Sequence, residues 1–188
     1  MIRSVVLTLF ILVGAVAGTR AQNHAPATSP YAGFEQRTIK ALSAQQIADL
    51  RAGRGMGLAL SAELNGYPGP SHVLELAREL ELTGAQHTRV EALFAAMKAE
   101  TFPIGERLIE EEAALDQQFA ARMITPETLT IAVSAIGAIQ ASLRAAHLKY
   151  HLSTIDVLTP MQIRRYGELR GYGGTAATPE GHERHRQH

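Results

Sequence analysis

Two histidines are the side chains of this sequence best placed to bind a metal ion. His147 and His151 stand four residues apart in an apolar segment, and on an α-helix this spacing puts both imidazoles on one face, one turn apart. Imidazole is a ligand for Zn, Ni, Co and Cu. If the helix is half of an antiparallel hairpin, Glu100 and Glu106 on the other half are candidate third ligands, and so is a residue from a partner chain. The alternative is structural: one buried and one surface histidine, with no cofactor required.

A second group of histidines lies near the carboxyl end of the chain. Three histidines alternate with arginines over residues 182–188, after a segment of Gly, Thr and Pro. This composition predicts a disordered tail over residues 173–188. Such a tail would bind metal only loosely, because it offers no fixed geometry.

The sequence does not indicate an enzyme. It contains no nucleophile with a neighbouring base, no H-E-x-x-H, no phosphate-binding loop and no dinucleotide-binding glycine motif. Cysteine is absent, which excludes disulfides and thiolate ligands. The 18 basic and 18 acidic residues balance, so no basic surplus points to nucleic acid as a partner. We therefore predict no enzymatic activity and no catalytic residue.

The phrase L-T-x-x-Q occurs twice, at residues 82–86 and 158–162, with a weaker copy at residues 42–46. In each full copy the threonine hydroxyl is expected to accept a hydrogen bond from the backbone amide three residues later. The glutamine side chain is expected to reach back to the threonine amide, which completes a capping box. The residues of the two predicted boxes are Leu82, Thr83 and Gln86, and Leu158, Thr159 and Gln162.

The spacing of apolar residues predicts two long helices. Apolar side chains recur at steps of three and four residues from Thr83 to Phe119, and a second stripe runs from Thr125 to about Val157. A tight connection requires these helices to run antiparallel. Pro103 interrupts the first stripe and is expected to kink or split that helix.

Shorter helices are predicted on both sides of this hairpin. They cover residues 43–51, 58–64 and 71–80, the last with Ser71 as its cap, and a final helix ends at Gly171. A lone hairpin has too little interior to fold by itself. The predicted fold is therefore all-α: a long antiparallel helical hairpin with short flanking helices, in an elongated, curved homodimer.

The first residues are typical of a secretory signal. Arg3 precedes an apolar run over residues 5–17, and cleavage sites are available after Ala21 or Ala17. The run is shorter than the about 20 residues of a membrane span, so an uncleaved anchor is the lesser alternative. The predicted divisions are a signal peptide over residues 1–21, a flexible leader over 22–40, a helical domain over 41–172 and the tail over 173–188.

Export implies a periplasmic protein without a membrane span in the mature chain. Loss of Arg3 and Arg20 with the signal would leave 16 basic and 18 acidic residues, a net charge of −2. Without disulfides, such a protein must be stabilised by packing alone.

Two L-T-x-x-Q phrases in a small exported helical chain resemble the Spy/CpxP-type family of periplasmic stress proteins, which includes heavy-metal sensor and resistance relatives. Residues 53–57 and 65–70 also look like a stretch found in some bacterial members. The resemblance covers residues 41–172 and implies a small helical fold, usually dimeric. It leads to two expectations of function. One is an ATP-independent, chaperone-like binder of unfolded periplasmic proteins, or a modulator of an envelope sensor protein. The other is a sensor that binds a divalent metal through His147 and His151.

Overall fold

A computed structural model describes residues 29–172 of this chain. The predicted signal peptide, the first part of the leader and the tail lie outside these residues. Residues 29–32 are the described part of a first unit, residues 1–32, and form a turn in which the Ala32 amide donates to the Ser29 carbonyl. The described part of the second unit begins at Gly33 with a 3-10 turn, Phe34–Gln36. Its α-helices are α1 (Ala44–Arg51), α2 (Leu60–Glu63), α3 (Pro70–Glu75), α4 (Gly84–Ala120), α5 (Pro126–Ile155) and α6 (Pro160–Leu169).

The predicted all-α fold is confirmed, because residues 29–172 contain helices and no strand. Helices α4 and α5, of 37 and 30 residues, form the predicted antiparallel hairpin and are about 55 and 45 Å long. The connection between them is short. Arg122 adopts a left-handed conformation with φ of 55°, and the Thr125 hydroxyl then caps α5 by accepting from the Thr128 amide.

Pro103 does not split α4, which continues through it. The proline ring removes the amide that would bond to the carbonyl of Ala99. Both residues are exposed, so water can bond to that carbonyl. The buried positions on either side, Met97 and Leu108, keep both parts of the helix packed on the rest of the hairpin.

Buried apolar side chains form two clusters. The first lies along the hairpin and under α1, and its members are Ile39, Leu42, Leu50, Leu108, Ile109, Ile136, Ile139 and Leu143. The second joins α3, the start of α4 and α6, and its members are Val73, Leu80, Val90, Leu158 and Tyr166. Ile39 is only 4 % exposed. Ile39 belongs to the predicted leader, so the end of that segment contributes a side chain to the first cluster.

The two L-T-x-x-Q phrases each form a capping box at a helix start. At α4, the Thr83 hydroxyl accepts from the Gln86 amide at 3.2 Å, and the Gln86 side-chain oxygen accepts from the Thr83 amide at 3.0 Å. Thr159 and Gln162 make the same pair of bonds at the start of α6. These bonds satisfy amides that a helix start would otherwise leave unpaired.

The two boxes also bind each other. The Gln86 side-chain nitrogen donates to the Gln162 side-chain oxygen at 2.9 Å and to the Val157 carbonyl at 3.0 Å. The Gln162 nitrogen in turn donates to the Leu80 carbonyl at 3.1 Å. Each glutamine therefore caps its own helix through its oxygen and holds the other helix start through its nitrogen.

Helix α3 differs from its prediction at both ends. It begins at Pro70 with Gly69 as N-cap and no side-chain cap, and it ends at Glu75. Ser71 is not the cap, because proline already occupies the first helical position, for which its fixed φ is suited. Residues 76–81 continue as turns, and Glu81 has a positive φ of 51°.

Candidate functional site

A cavity of about 560 Å³ lies where the residues from α1 to α3 pack against the long helices. Helix α5 contributes His147 and His151 to its wall, so the structure does bring the predicted histidine pair to one place. The other lining residues are 52–57, Ala59, Leu60, Glu63, 69–72, Glu75, Phe94, Met97 and Lys98.

His147 is buried and lacks a hydrogen-bond partner. Its side chain is 2 % exposed, and its Nε2 is the one buried side-chain polar atom in residues 29–172 without a partner. Burial lowers the pKa of His147, and positive charge on His151 lowers it further. The ring is therefore neutral at pH 7, and an unsatisfied buried nitrogen of this kind calls for an explanation.

His151 is 7 % exposed and is held by backbone. Its Nδ1 lies 2.6 Å from the Tyr67 carbonyl oxygen. Because a carbonyl can only accept, Nδ1 carries the proton, so the neutral tautomer that makes this bond has its lone pair on Nε2. Gly69 lies against this ring: a Cβ there would stand 2.8 Å from Cε1 and 2.9 Å from Nε2. The sequence therefore needs glycine at position 69.

Glu63 lies on the Nδ1 side of His151, with its Oε2 at 3.7 Å, and is 5 % exposed. Its Oε2 also accepts from the Gly69 amide at 3.3 Å. Its Oε1 lies 3.3 Å from Nδ1 of His72 and accepts from the Tyr166 hydroxyl. A buried carboxylate is thus surrounded by donors from α3, α5 and α6.

These donors decide the charge of Glu63. Burial raises the pKa of this carboxyl, but hydrogen bonds from His72, Tyr166 and Tyr172 outweigh burial and lower the pKa to about 2. Tyr166 shows the reciprocal effect, since burial and the bond to Glu63 raise the pKa of its hydroxyl. The site therefore contains a permanently ionised carboxylate at pH 7.

The two predicted third ligands, Glu100 and Glu106, are not placed beside the histidine pair. Glu100 accepts from the Lys149 ammonium at 2.5 Å and from the Tyr150 hydroxyl at 2.9 Å. Glu106 pairs with Arg51 at 3.0 Å. Both carboxylates are thus paired with a cation, and neither lines the histidine cavity. No group of three or more His, Asp or Glu side chains in residues 29–172 converges as a set of metal ligands.

Sequence reasoning missed Glu63 as a partner of the histidines and left the role of His72 open. Both lie in the segment of α2, a turn and α3, which is nearly 80 residues from the pair along the chain. The sequence feature that could have indicated this pairing is the rigid turn over residues 65–70, which lies between Glu63 and His72. His87 is a surface residue, as expected, and lies 3.3 Å from Glu91.

A second feature is an exposed apolar surface at the closed end of the hairpin, called here the tip surface. Its members are Phe119, Met123, Leu129, Ile131 and Val133. Ile131 is 69 % exposed and Met123 is 73 % exposed. Only 28 % of the most apolar window of α5 is buried. By length and composition alone, α5 is also long and apolar enough to cross a membrane.

The tip surface is open because the flanking helices pack elsewhere. In the described part of the chain, the helices that contact α5 besides α4 are chiefly α2 and α3, and these lie around the histidine cavity near its other end. The short helices therefore cover only part of the predicted apolar stripe.

Comparison of the chain with protein-family models, curated proteins and solved structures gives no significant match.

Proposed function

We propose that this protein is a periplasmic, non-enzymatic stress protein that binds partly unfolded proteins without ATP. The supporting observation is the tip surface, a set of large apolar side chains left exposed on two adjoining helix ends. Exposed apolar patches of this kind mark interaction sites. The resemblance of the two L-T-x-x-Q phrases to Spy/CpxP-type proteins supports the same function.

The proposed mechanism is reversible binding, with no covalent step. An unfolded chain would bury its apolar side chains against the tip surface and would be released when it folds. Weak binding suffices, because it needs only to compete with association between client molecules. Flexible Met123, 73 % exposed, suits such a surface because methionine adapts to partners of different shape. A second copy of this chain, or an envelope sensor protein, is a further partner for the same side chains.

The test is an aggregation assay with reduced α-lactalbumin as client. The reductant does not affect the stress protein, which has no cysteine. The tip variant carries Ile131→Ser and Val133→Ser, at side chains 69 % and 52 % exposed. The control carries Leu152→Ser and Met161→Ser, which are 59 % and 71 % exposed and lie away from the tip.

We expect the tip variant to need about fivefold more protein for half suppression, since losing about 1 kcal/mol of apolar contact weakens binding by that factor. The control should match the parent, and chelators should have no effect. Equal suppression by the tip variant and the parent would refute the proposal. Sedimentation of all three proteins shows whether the tip substitutions also change the oligomeric state.

A second candidate function is divalent metal sensing or resistance through His147 and His151, with Zn, Ni, Co or Cu as the ion. The unpartnered Nε2 of buried His147 favours it, as does the hydrogen bond that leaves Nε2 of His151 with a lone pair. Calorimetric titration of the parent and of the double variant His147→Ala, His151→Ala tests it. Tight binding that the double variant loses is the expected result, and equal binding by both proteins would refute it.

A further inference from the structure

We propose that the ion held by His147 and His151 is a soft monovalent one, Cu(I), and that the Met97 thioether belongs to the site. This inference rests on the second candidate function, metal binding by the histidine pair. It differs from that function in the charge of the ion and in the third ligand.

The first argument is the placement of Met97. It lies on α4, is 7 % exposed and lines the same cavity as the two histidines of α5. A second thioether, Met56, also lines this cavity and is 42 % exposed. The donors offered by the two long helices are therefore two imidazole nitrogens and a thioether sulfur, and thioethers favour Cu(I) over the harder divalent ions.

The second argument is charge. The carboxylate nearest the pair, Glu63, is already occupied by Tyr166, Tyr172 and the Gly69 amide. Neutral imidazoles and thioethers supply no negative charge, and the Lys98 side chain also lines the cavity. With neutral ligands, the charge of a divalent ion would be offset only by carboxylates outside the ligand set, Glu63 and Glu75, and incomplete compensation of a buried charge is costly. A monovalent ion reduces that cost.

The third argument is that the hydrogen bond made by Nδ1 of His151 orients this ring to bind a metal through Nε2. Histidines that bind metals almost always donate their other ring N–H to a carbonyl or carboxylate. Nδ1 of His151 donates to the Tyr67 carbonyl at 2.6 Å and has Glu63 at 3.7 Å. A side chain at position 69 would crowd Nε2, since a Cβ there would stand 2.9 Å from that nitrogen.

The experiment uses the full-length chain with every histidine outside the described residues replaced by asparagine, so that the remaining histidines are those of the cavity and the surface residue His87. The replaced residues are His24, His182, His185 and His188. Binding of Cu(I) is measured without oxygen by competition with bicinchoninate, and binding of Zn(II) is measured in parallel. The variants are His147→Ala with His151→Ala, and Met97→Leu. The matched control is Met161→Leu, on α6 and 71 % exposed.

We expect one Cu(I) per chain, bound in preference to Zn(II). The double histidine variant should lose it, and Met97→Leu should bind it at least about tenfold more weakly. Met161→Leu should bind as the parent does. X-ray absorption should show sulfur bound to copper in the parent and only nitrogen in Met97→Leu.

Two results would overturn the inference and leave metal binding by the pair intact. One is a preference for Zn(II) that depends on the histidines, and the other is unchanged Cu(I) binding in Met97→Leu. Binding of neither ion would overturn both the inference and the second candidate function. Leucine conserves the volume of methionine, and circular dichroism checks the fold. If Met97→Leu fails to fold, the X-ray absorption spectrum of the parent tests the inference. Sulfur bound to copper supports it, and nitrogen ligands alone overturn it.

Discussion

Replacing Glu63 by glutamine should change how the stability of this protein depends on pH. The substitution keeps the shape of a side chain that is 5 % exposed and removes its charge. The amide can accept through only one oxygen, whereas the carboxylate accepts through both. Donors on both sides of the carboxylate, among them Tyr166 and the Gly69 amide, lose a charged partner.

The magnitude follows from the pKa of Glu63, which lies at about 2 in the folded protein against an ordinary value of 4.5. This difference corresponds to about 3 kcal/mol of stability from the ionised form. Because the folded pKa is lowered, this contribution is complete above pH 4.5 and is lost as the pH falls towards 2. Two or three charge-assisted hydrogen bonds of about 1.5–3 kcal/mol each, opposed by the cost of burial, give the same order of magnitude.

Urea unfolding followed by helical circular dichroism at pH 7, 4.5, 3 and 2 measures the effect. At pH 7 we expect Glu63→Gln to be about 3 kcal/mol less stable than the parent, and at pH 2 the two proteins should differ little. Other carboxyls titrate in the same range, so the difference between the two proteins is the quantity of interest. The control is Glu79→Gln, an exposed residue of the same region, which should follow the parent at every pH.

A single outcome would refute this reasoning. If the parent and Glu63→Gln lose stability in parallel between pH 4.5 and 2, the ionised carboxylate does not stabilise the fold. Protein concentration must be held constant, because self-association would add to the apparent stability.

Three further predictions concern close packing and the helix starts. Gly69→Ala should destabilise the fold by about 1–3 kcal/mol in urea unfolding, because its Cβ would stand 2.8 Å from a buried histidine ring; unchanged stability would contradict that geometry. Gly105→Ala should lower the free energy of unfolding by a similar amount, since its Cβ would stand 2.8 Å from a backbone carbonyl of α1. The matched control is Gly137→Ala, in open space on α5, which should raise the free energy of unfolding by up to about 1 kcal/mol. Gln86→Ala and Gln162→Ala should be coupled by about 0.5–3 kcal/mol in a double-mutant cycle, because their side chains bond to each other; additive effects would show that the two capping boxes are independent.

The sequence by itself determined the features that depend on residues close together along the chain. A capping box lies within four residues, so the Thr83 and Thr159 boxes mark two helix starts without reference to the rest of the fold. The steps of three and four residues between apolar positions likewise determined the hairpin. The same periodicity put His147 and His151 on one helical face.

Only the tertiary structure decided which distant groups meet. The bond between Gln86 and Gln162 and the placement of Glu63 beside His151 join residues that are 76 and 88 positions apart. Their contact depends on how α2, α3 and α6 pack against the hairpin. Glu100 was within reach by the antiparallel geometry alone, yet it pairs with Lys149. Helical periodicity specifies the face on which a side chain lies, whereas the partner on the opposing surface is selected by packing and by competition among neighbouring charges.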